Sequence, residues 1–370
     1  MSDSTRLPYG GADDARAGGL PVAERFRRHA DALVRHRRSP LCAELMYGAA
    51  ADLDAGGVVA RLFAGVPVPP GSVPQLRLLA ALHHLVLAGR APALSRFYPS
   101  AGGRLAPGGA WPVARQACEQ HFGWIRSRLP LTVQTNEPGR ACVLFAALVW
   151  LTDRYGLPIR LLEIGASAGL NLLADRYCYV VGGEAIGDTD SPVRFAEPWR
   201  PGPRVDVRAC ARRLTIHARA GCDLRPLNPR RPEHRLALMS YIWPDELERI
   251  ERMRSALKLA AIAPPPVAAE RAGAWLRREL AGGGERTLTV VWQSLFRQYV
   301  GADEWQAISD AVGHARQPAA AAPIVWLRME PSDDHLAGVG LVARVSPDER
   351  DFRLAVCGDH GPPVIWREDS

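Results

Sequence analysis

Apolar residues follow two different spacings along the chain. Up to about residue 155 they recur every three or four positions, as on one face of a helix. Phe26, Ala30, Leu33 and Val34 form one such face, and Leu76, Leu79, Ala80 and His83 another. Val143, Ala147, Trp150 and Leu151 form a third. "VPVPPGSVP" and "APGGAWP" interrupt the pattern between helices, and no strand is predicted in this half. Beyond Gly156 short apolar runs alternate with helical ones. "IRLLEIG" reads as a buried strand, and "SAGLNLLADRY" as a helix with Ser167 as its N-cap. "YCYVVGGEAIGD" reads as an inserted hairpin turning on Gly182 and Gly183, and "LTIHARAGCDL" as a second strand. "WPDELERIERMRSALKLAA" is an amphipathic helix with Leu247, Ile250, Met253 and Leu257 on one face. A strand and helix in "PPPVAAERAGAWLRREL", a strand in "RTLTVVWQSL", a helix in "ADEWQAISDAVGHA" and a strand in "APIVWLRME" follow. The end, from "GVGLVARV" to "PPVIW", reads as two or three antiparallel strands.

Strands alternating with helices imply a parallel sheet covered on both faces. In that architecture ligands sit at the carboxyl ends of the strands, where the strand order reverses. At 370 residues two domains are expected, a helical one over 1–135 and an α/β one over 136–370. The first 19 residues are polar, lack a signal-peptide core and read as a loose tail.

Composition excludes some partners. A 47% hydrophobic, 23% charged chain is that of an ordinary globular protein. No apolar run approaches the ~20 residues that cross a bilayer, so no membrane partner is expected. The net charge of +7 invites a nucleic-acid partner. However, Lys258 is the only lysine, and the arginines are scattered among Asp and Glu rather than gathered in a patch. That is compositional bias, and no nucleic-acid partner is expected. The seven cysteines form no C-x-x-C pair, which points to reduced thiols in the cytoplasm and to no metal site.

Four stretches carry candidate chemistry. The first is E-I-G-A-S-A-G, residues 163–169, between a strand and a helix. Gly165 and Gly169 allow close approach to the backbone, and a following helix N-terminus offers amide donors. A tight structural turn needs small residues equally. The second is "GCDLRPLN", where Asp223 ends a strand; a carboxylate there suits two hydroxyl donors. The third is Glu270 and Ala272 in "PPVAAERAGAWL". The fourth is "VVWQSLFRQY", where Gln293, Ser294 and Tyr299 place polar groups at a strand tip. "TNEPGR" adds Asn136, Glu137 and Arg140 ahead of the glycine turn, although Asn and Pro also suit a helix start. His360 in "GDHGPP" and Glu330 in "WLRME" are titratable groups on late turns and strand ends.

The first motif fits a dinucleotide fingerprint poorly, because glycine is missing at Ser167 and Leu170. It resembles the E-x-G-x-G-x-G turn of class I S-adenosylmethionine-dependent methyltransferases, with Ser167 at the middle glycine position. The resemblance implies a Rossmann-like methyltransferase α/β fold, a doubly wound sheet with a terminal antiparallel hairpin, preceded by an all-α N-terminal domain. It implies a cofactor, S-adenosylmethionine, held by Glu163, Gly165, Ala166, Ser167, Gly169 and Asn171, by Asp223 and Leu224 at the ribose, and by Glu270 and Ala272 at the adenine. Asn136, Glu137, Arg140, Gln293 and Tyr299 would face a small-molecule substrate, with Ser294, Glu330 and His360 as candidate catalytic groups. More widely, "QTNEPGRA", "LLEIGASAGLNL", "GCDLRPLN", "YIWPDELERIERM", "WLRMEP" and "GDHGPPVIW" resemble an uncharacterised bacterial family, domain of unknown function 2332, from about residue 20 onward. The expected activity is methyl transfer to a small molecule. Two alternatives remain: the same fold with another reaction, such as intramolecular ring closure by leaving-group displacement, and a non-catalytic binding scaffold. Ser167 motivates the first of these, because a bulkier turn crowds the cofactor.

Overall fold

The structure, a computed structural model, describes residues 20–69, 71–281, 286–315, 323–332, 338–346 and 350–368. The N-terminal tail expected over residues 1–19 lies outside them. Two compact units emerge from the contacts.

The helical unit holds α1 (Val22–Arg35), α2 (Pro40–Asp54), α3 (Val58–Phe63), α4 (Pro74–Leu87), α5 (Pro92–Ser95), α6 (Ala110–Gln120) and α7 (Phe122–Arg128). Proline at the first turn of α2, α4 and α5 starts these helices without sacrificing a needed N–H. Phe26, Met46, Leu62 and Leu82 are among the fully buried residues of its core. The segment Arg231–Arg254 also clusters with this unit. The sequence reading places that segment with the sheet, because its strand–helix order continues there without interruption.

The second unit begins at Asn136, and its helix α8 (Ala141–Tyr155) leads into β1 (Ile159–Ile164). Along the chain follow β2 (Cys178–Val181), β3 (Glu184–Gly187), β4 (Arg194–Ala196), α9 (Val207–Arg213) and β5 (Ile216–Asp223). α10 (Pro232–Ser240) lies within the Arg231–Arg254 segment, and α11 (Leu247–Ile262) starts in it. Then come β6 (Val267–Ala269), α12 (Ala272–Leu280), β7 (Leu288–Ser294), α13 (Ala302–His314), β8 (Ile324–Pro331), β9 (Val339–Val345), β10 (Arg350–Gly358) and β11 (Gly361–Trp366).

Eight strands form one mixed sheet in the order β11-β10-β9-β8-β7-β1-β5-β6. β6, β5, β1, β7 and β8 are parallel, and β9, β10 and β11 continue as an antiparallel meander. The terminal hairpin of the sequence reading is thus three antiparallel strands in chain order. The chain runs outward from β1 through β5 to β6 and returns on the other side of β1 at β7, so the order reverses between β1 and β7. β1 and β7 are almost entirely buried, as suits central parallel strands. α12 and α13 pack Trp275, Leu276 and Ile308 against Leu162, Val291 and Trp326 of the sheet.

Two expectations change after β1. The helix expected over 167–177 is a 3-10 run, Leu170–Arg176, with non-helical backbone at Leu173. Ser167 does not cap it: its φ is +55° and Gly169 holds the cap position. Bonds from outside the run accompany this: the Tyr177 hydroxyl donates to Leu170 O at 2.7 Å and Arg219 donates to Leu172 O at 2.6 Å. The inserted hairpin is real, with Gly182 at φ +58° and Gly183 at φ +80° supplying the two left-handed positions of its turn. It gains β4 on its other edge, a separate three-stranded sheet.

No helix among the described residues is long and apolar enough to cross a membrane. All seven cysteines are free and buried. No group of His, Cys, Asp and Glu among the described residues has the clustering of a metal site.

Candidate functional site

Buried polar groups collect where the strand order reverses. They begin at "TNEPGR". Glu137 caps a 3-10 turn, Pro138–Arg140, by accepting from Gly139 N at 3.1 Å. This directs Arg140 inward. Its Nε donates to Asp359 O at 2.9 Å, and an Nη reaches the Ser294 backbone oxygen and Oγ at 3.5 and 3.4 Å. Gly139 is required here, since a Cβ would stand 2.2 Å from His360 O. Asn136, Glu137 and Arg140 are all buried.

Arg140 bears on two buried carboxyl groups. Glu163, at the end of β1, receives a long hydrogen bond from Asn171 Nδ2 at 3.4 Å, while its Oε2 has no partner. Burial pushes its pKa up to about 8, against the opposing pull of Asn171 and Arg140. Glu163 therefore carries its proton at neutral pH. The Trp292 indole N–H faces this carboxyl without an acceptor at hydrogen-bond distance, and Asn171 Oδ1 is also unpartnered. Glu330, at the end of β8, accepts through Oε1 from Gln293 Nε2 at 2.6 Å, Phe296 N at 3.0 Å and Arg297 N at 3.1 Å. Its Oε2 is buried and unpartnered. Burial raises this carboxyl too, although Gln293, the two amides and Arg140 hold it down. Gln293 is fixed in turn by Trp326 Nε1, which donates to Gln293 Oε1 at 3.0 Å.

The glycine turn is different: every amide from Ala166 to Leu170 has an acceptor. Ala166 N donates to Cys222 O and Gly169 N to Ala166 O. Ser167 N donates to Asp223 Oδ2 at 3.0 Å. Ala168 N and Leu170 N both donate to Asn136 Oδ1, at 3.2 and 3.0 Å. Asp223 uses its other oxygen to accept from Arg225 N at 2.8 Å. Gly165 sits at φ +68°, where a Cβ would meet the Phe296 ring at 2.4 Å. At Gly169, φ +73°, a Cβ would meet Pro265 at 2.9 Å. The close approaches that these glycines permit are made by the chain itself.

The structure brings together Asn136, Glu137, Arg140, Glu163, Ser167, Asn171, Asp223, Gln293, Ser294 and Glu330 through these contacts. His360 lies on the turn next to Gly139. Others stand apart. Leu224 is 66% exposed. Glu270 pairs with Arg278 at 2.5 Å, although its N–H donates to Asp223 O at 3.2 Å. Ala272 is packed in the apolar core with Trp275 and Leu276. Tyr299 is half-buried in the 3-10 turn Arg297–Tyr299. Sequence reasoning missed Asp359, which acts through its carbonyl, and Phe296, whose ring covers Gly165. A carbonyl role leaves no mark in a sequence; Phe296, two positions past Ser294 in a quoted strand tip, did leave one.

These features define an α/β protein with a large mixed sheet and a buried polar cluster where its strand order reverses. The chain belongs to the bacterial family described as "Uncharacterized protein conserved in bacteria (DUF2332)", which matches it over residues 23–366. No curated protein and no solved structure matches it.

Proposed function

We propose that this chain is a small-molecule methyltransferase of Rossmann-like type that uses S-adenosylmethionine. One observation carries the reading. Asp223, at the end of the strand next to β1, accepts from Ser167 N in the glycine turn, and the five parallel strands of the mixed sheet run 3-2-1-4-5 in chain order. A carboxylate in that position suits the two hydroxyls of a ribose. The donor set also fits an amino-acid carboxylate: the Ala168 and Leu170 amides converge on a single oxygen, that of Asn136, as they would on a carboxylate oxygen. The cofactor supplies an activated methyl group. The protein's part is alignment and exclusion of water. Ser294, Glu330 and His360 stand at the tips of β7 and β8 and on the β10–β11 turn, and the open Oε2 of Glu330 is the candidate proton acceptor.

A second reading, the same fold with a different reaction, draws support from Phe296. Its ring lies against Gly165, on the face that a cofactor would approach. Equilibrium dialysis of the purified chain against labelled S-adenosylmethionine separates the two. Saturable, stoichiometric binding is expected; its absence, with the chain folded, leaves the second reading.

A further inference from the structure

The helical unit carries a nucleophile–base arrangement that the methyl-transfer reading does not use. His83, on α4, is buried. Its Nε2 lies 2.8 Å from Ser100 Oγ and its Nδ1 3.2 Å from Ser240 O. A carbonyl can only accept, so Nδ1 carries the ring proton and Nε2 presents its lone pair. The Ser100 hydroxyl must then donate to Nε2. This is the order a serine nucleophile needs: hydroxyl, base, and a third group that fixes the tautomer of the base. Ser240 is 157 residues from His83 in sequence and arrives with the Arg231–Arg254 segment.

The surroundings suit the role. Ser100 is half-buried, on a tight turn closed by bonds from Ala101 N and Gly103 N to Tyr98 O and from Gly102 N to Pro99 O. Gly103 fixes that turn, since a Cβ there would stand 2.3 Å from Ser95 O. The Tyr98 ring lies beside the imidazole, with centroids 5.5 Å apart. His83 also lines a narrow cavity of about 10 Å³, with Cys42, Leu79, Tyr98, Ser240 and Trp243 among others, which has space for about one water molecule.

We propose that Ser100 and His83 form a second reactive centre, an acyl-accepting serine site for activated esters that reach the half-buried Ser100 from solvent. In the step, Ser100 Oγ bonds to the ester carbonyl carbon while its proton passes to His83 Nε2. The carbon–oxygen bond to the alcohol then breaks, and the alcohol leaves with that proton. Water attacks the resulting acyl-serine by the same route in reverse and releases the acid. Burial holds the imidazole neutral, with a pKa lowered to about 4, and so keeps the lone pair available. The same burial makes the imidazolium costly, so the pair is suited to capturing an activated group rather than to fast turnover.

A fluorophosphonate probe tests this directly. Ser100 Oγ attacks phosphorus, fluoride leaves, and the proton goes to His83. Peptide mass spectrometry of the labelled full-length chain is expected to find one phosphonate, on Ser100. Ser100→Ala should remove it, and His83→Gln, with melting followed alongside, should slow labelling by about a hundredfold or more, the usual contribution of a positioned base. A native chain that stays unlabelled overturns the proposal whatever the variants do. Labelling of another serine, or an undiminished rate in a folded His83→Gln protein, also overturns it.

Discussion

The glycine turn after β1 and the carboxyl cluster beside it occupy the same end of the sheet, yet they satisfy their polar groups differently. In the turn every amide from Ala166 to Leu170 is bonded within the chain. In the cluster Glu163 Oε2, Glu330 Oε2, Asn171 Oδ1 and Trp292 Nε1 are buried without partners. A motif can match a ligand-binding turn in spelling while the folded chain uses its donors internally. Unsatisfied buried atoms are the better marker of where something further binds, because each costs free energy until it is paired.

The largest expected effect separates the two regions by charge. Arg140 is the cation that opposes the burial of both Glu163 and Glu330. Arg140→Met should destabilise the protein by about 1–3 kcal/mol for each buried acceptor that it leaves unpaired, Asp359 O and Ser294 O. Chemical denaturation measures it, and a loss below 1 kcal/mol would show that the cluster does not depend on that charge.

The next effect is in pH. Glu163 has a folded pKa of about 8 against an ordinary value of 4.5. Below 4.5 both folded and unfolded states hold the proton. Between 4.5 and about 8 only the folded state holds it, so stability falls as pH rises, by at most about 1.4 kcal/mol per pH unit. Above 8 the contribution levels off. Glu163→Gln should flatten this fall, raising stability more at pH 8 than at pH 5. Denaturation at several pH values checks it, and parallel profiles for native and variant would contradict it.

A smaller effect probes the turn. Gly165→Ala places a side chain at φ +68° and against Phe296. A loss of about 1–3 kcal/mol is expected from the backbone conformation alone. Adding Phe296→Ala should recover only the part due to the clash, as a double-mutant cycle would show.

The smallest effect is one of sign. If Asn136 stands in for a ligand carboxylate, Asn136→Ala frees two amides and should tighten S-adenosylmethionine binding by a few-fold, since each released bond is worth about 0.5–1.5 kcal/mol net. Asn136→Asp, whose charge holds the amides more firmly, should weaken binding. Weakening by the alanine variant would make Asn136 a direct contact instead.

The comparison also shows what a sequence reveals. β1 is legible because a strand buried on both faces reads as the continuous run Leu161, Leu162 and Ile164 around Glu163. The hairpin is legible because Gly182-Gly183 is a local turn signal. The 3-10 run after Gly169 is not, because its backbone is set among contacts from outside the run, such as those of Tyr177 and Arg219 to its carbonyls, that a helical spacing does not reveal. The placement of Arg231–Arg254 is hidden for a similar reason: its helical periodicity is clear, but not the surface it packs on. Of the site, the residue types at strand ends are visible in Glu163, Asp223 and Glu330. Which of their oxygens are already bonded depends on contacts between residues far apart in the chain, as between Glu330 and Gln293.

Calorimetric titration of S-adenosylmethionine into the native chain and into Asp223→Ala tests the central claim most directly. The account predicts binding to the native protein at about one site per chain, weakened more than tenfold in the variant, because hydrogen bonds to a charged group contribute about 1.5–3 kcal/mol. Equal affinity in the two proteins, or no heat of binding in the folded native chain, would contradict it.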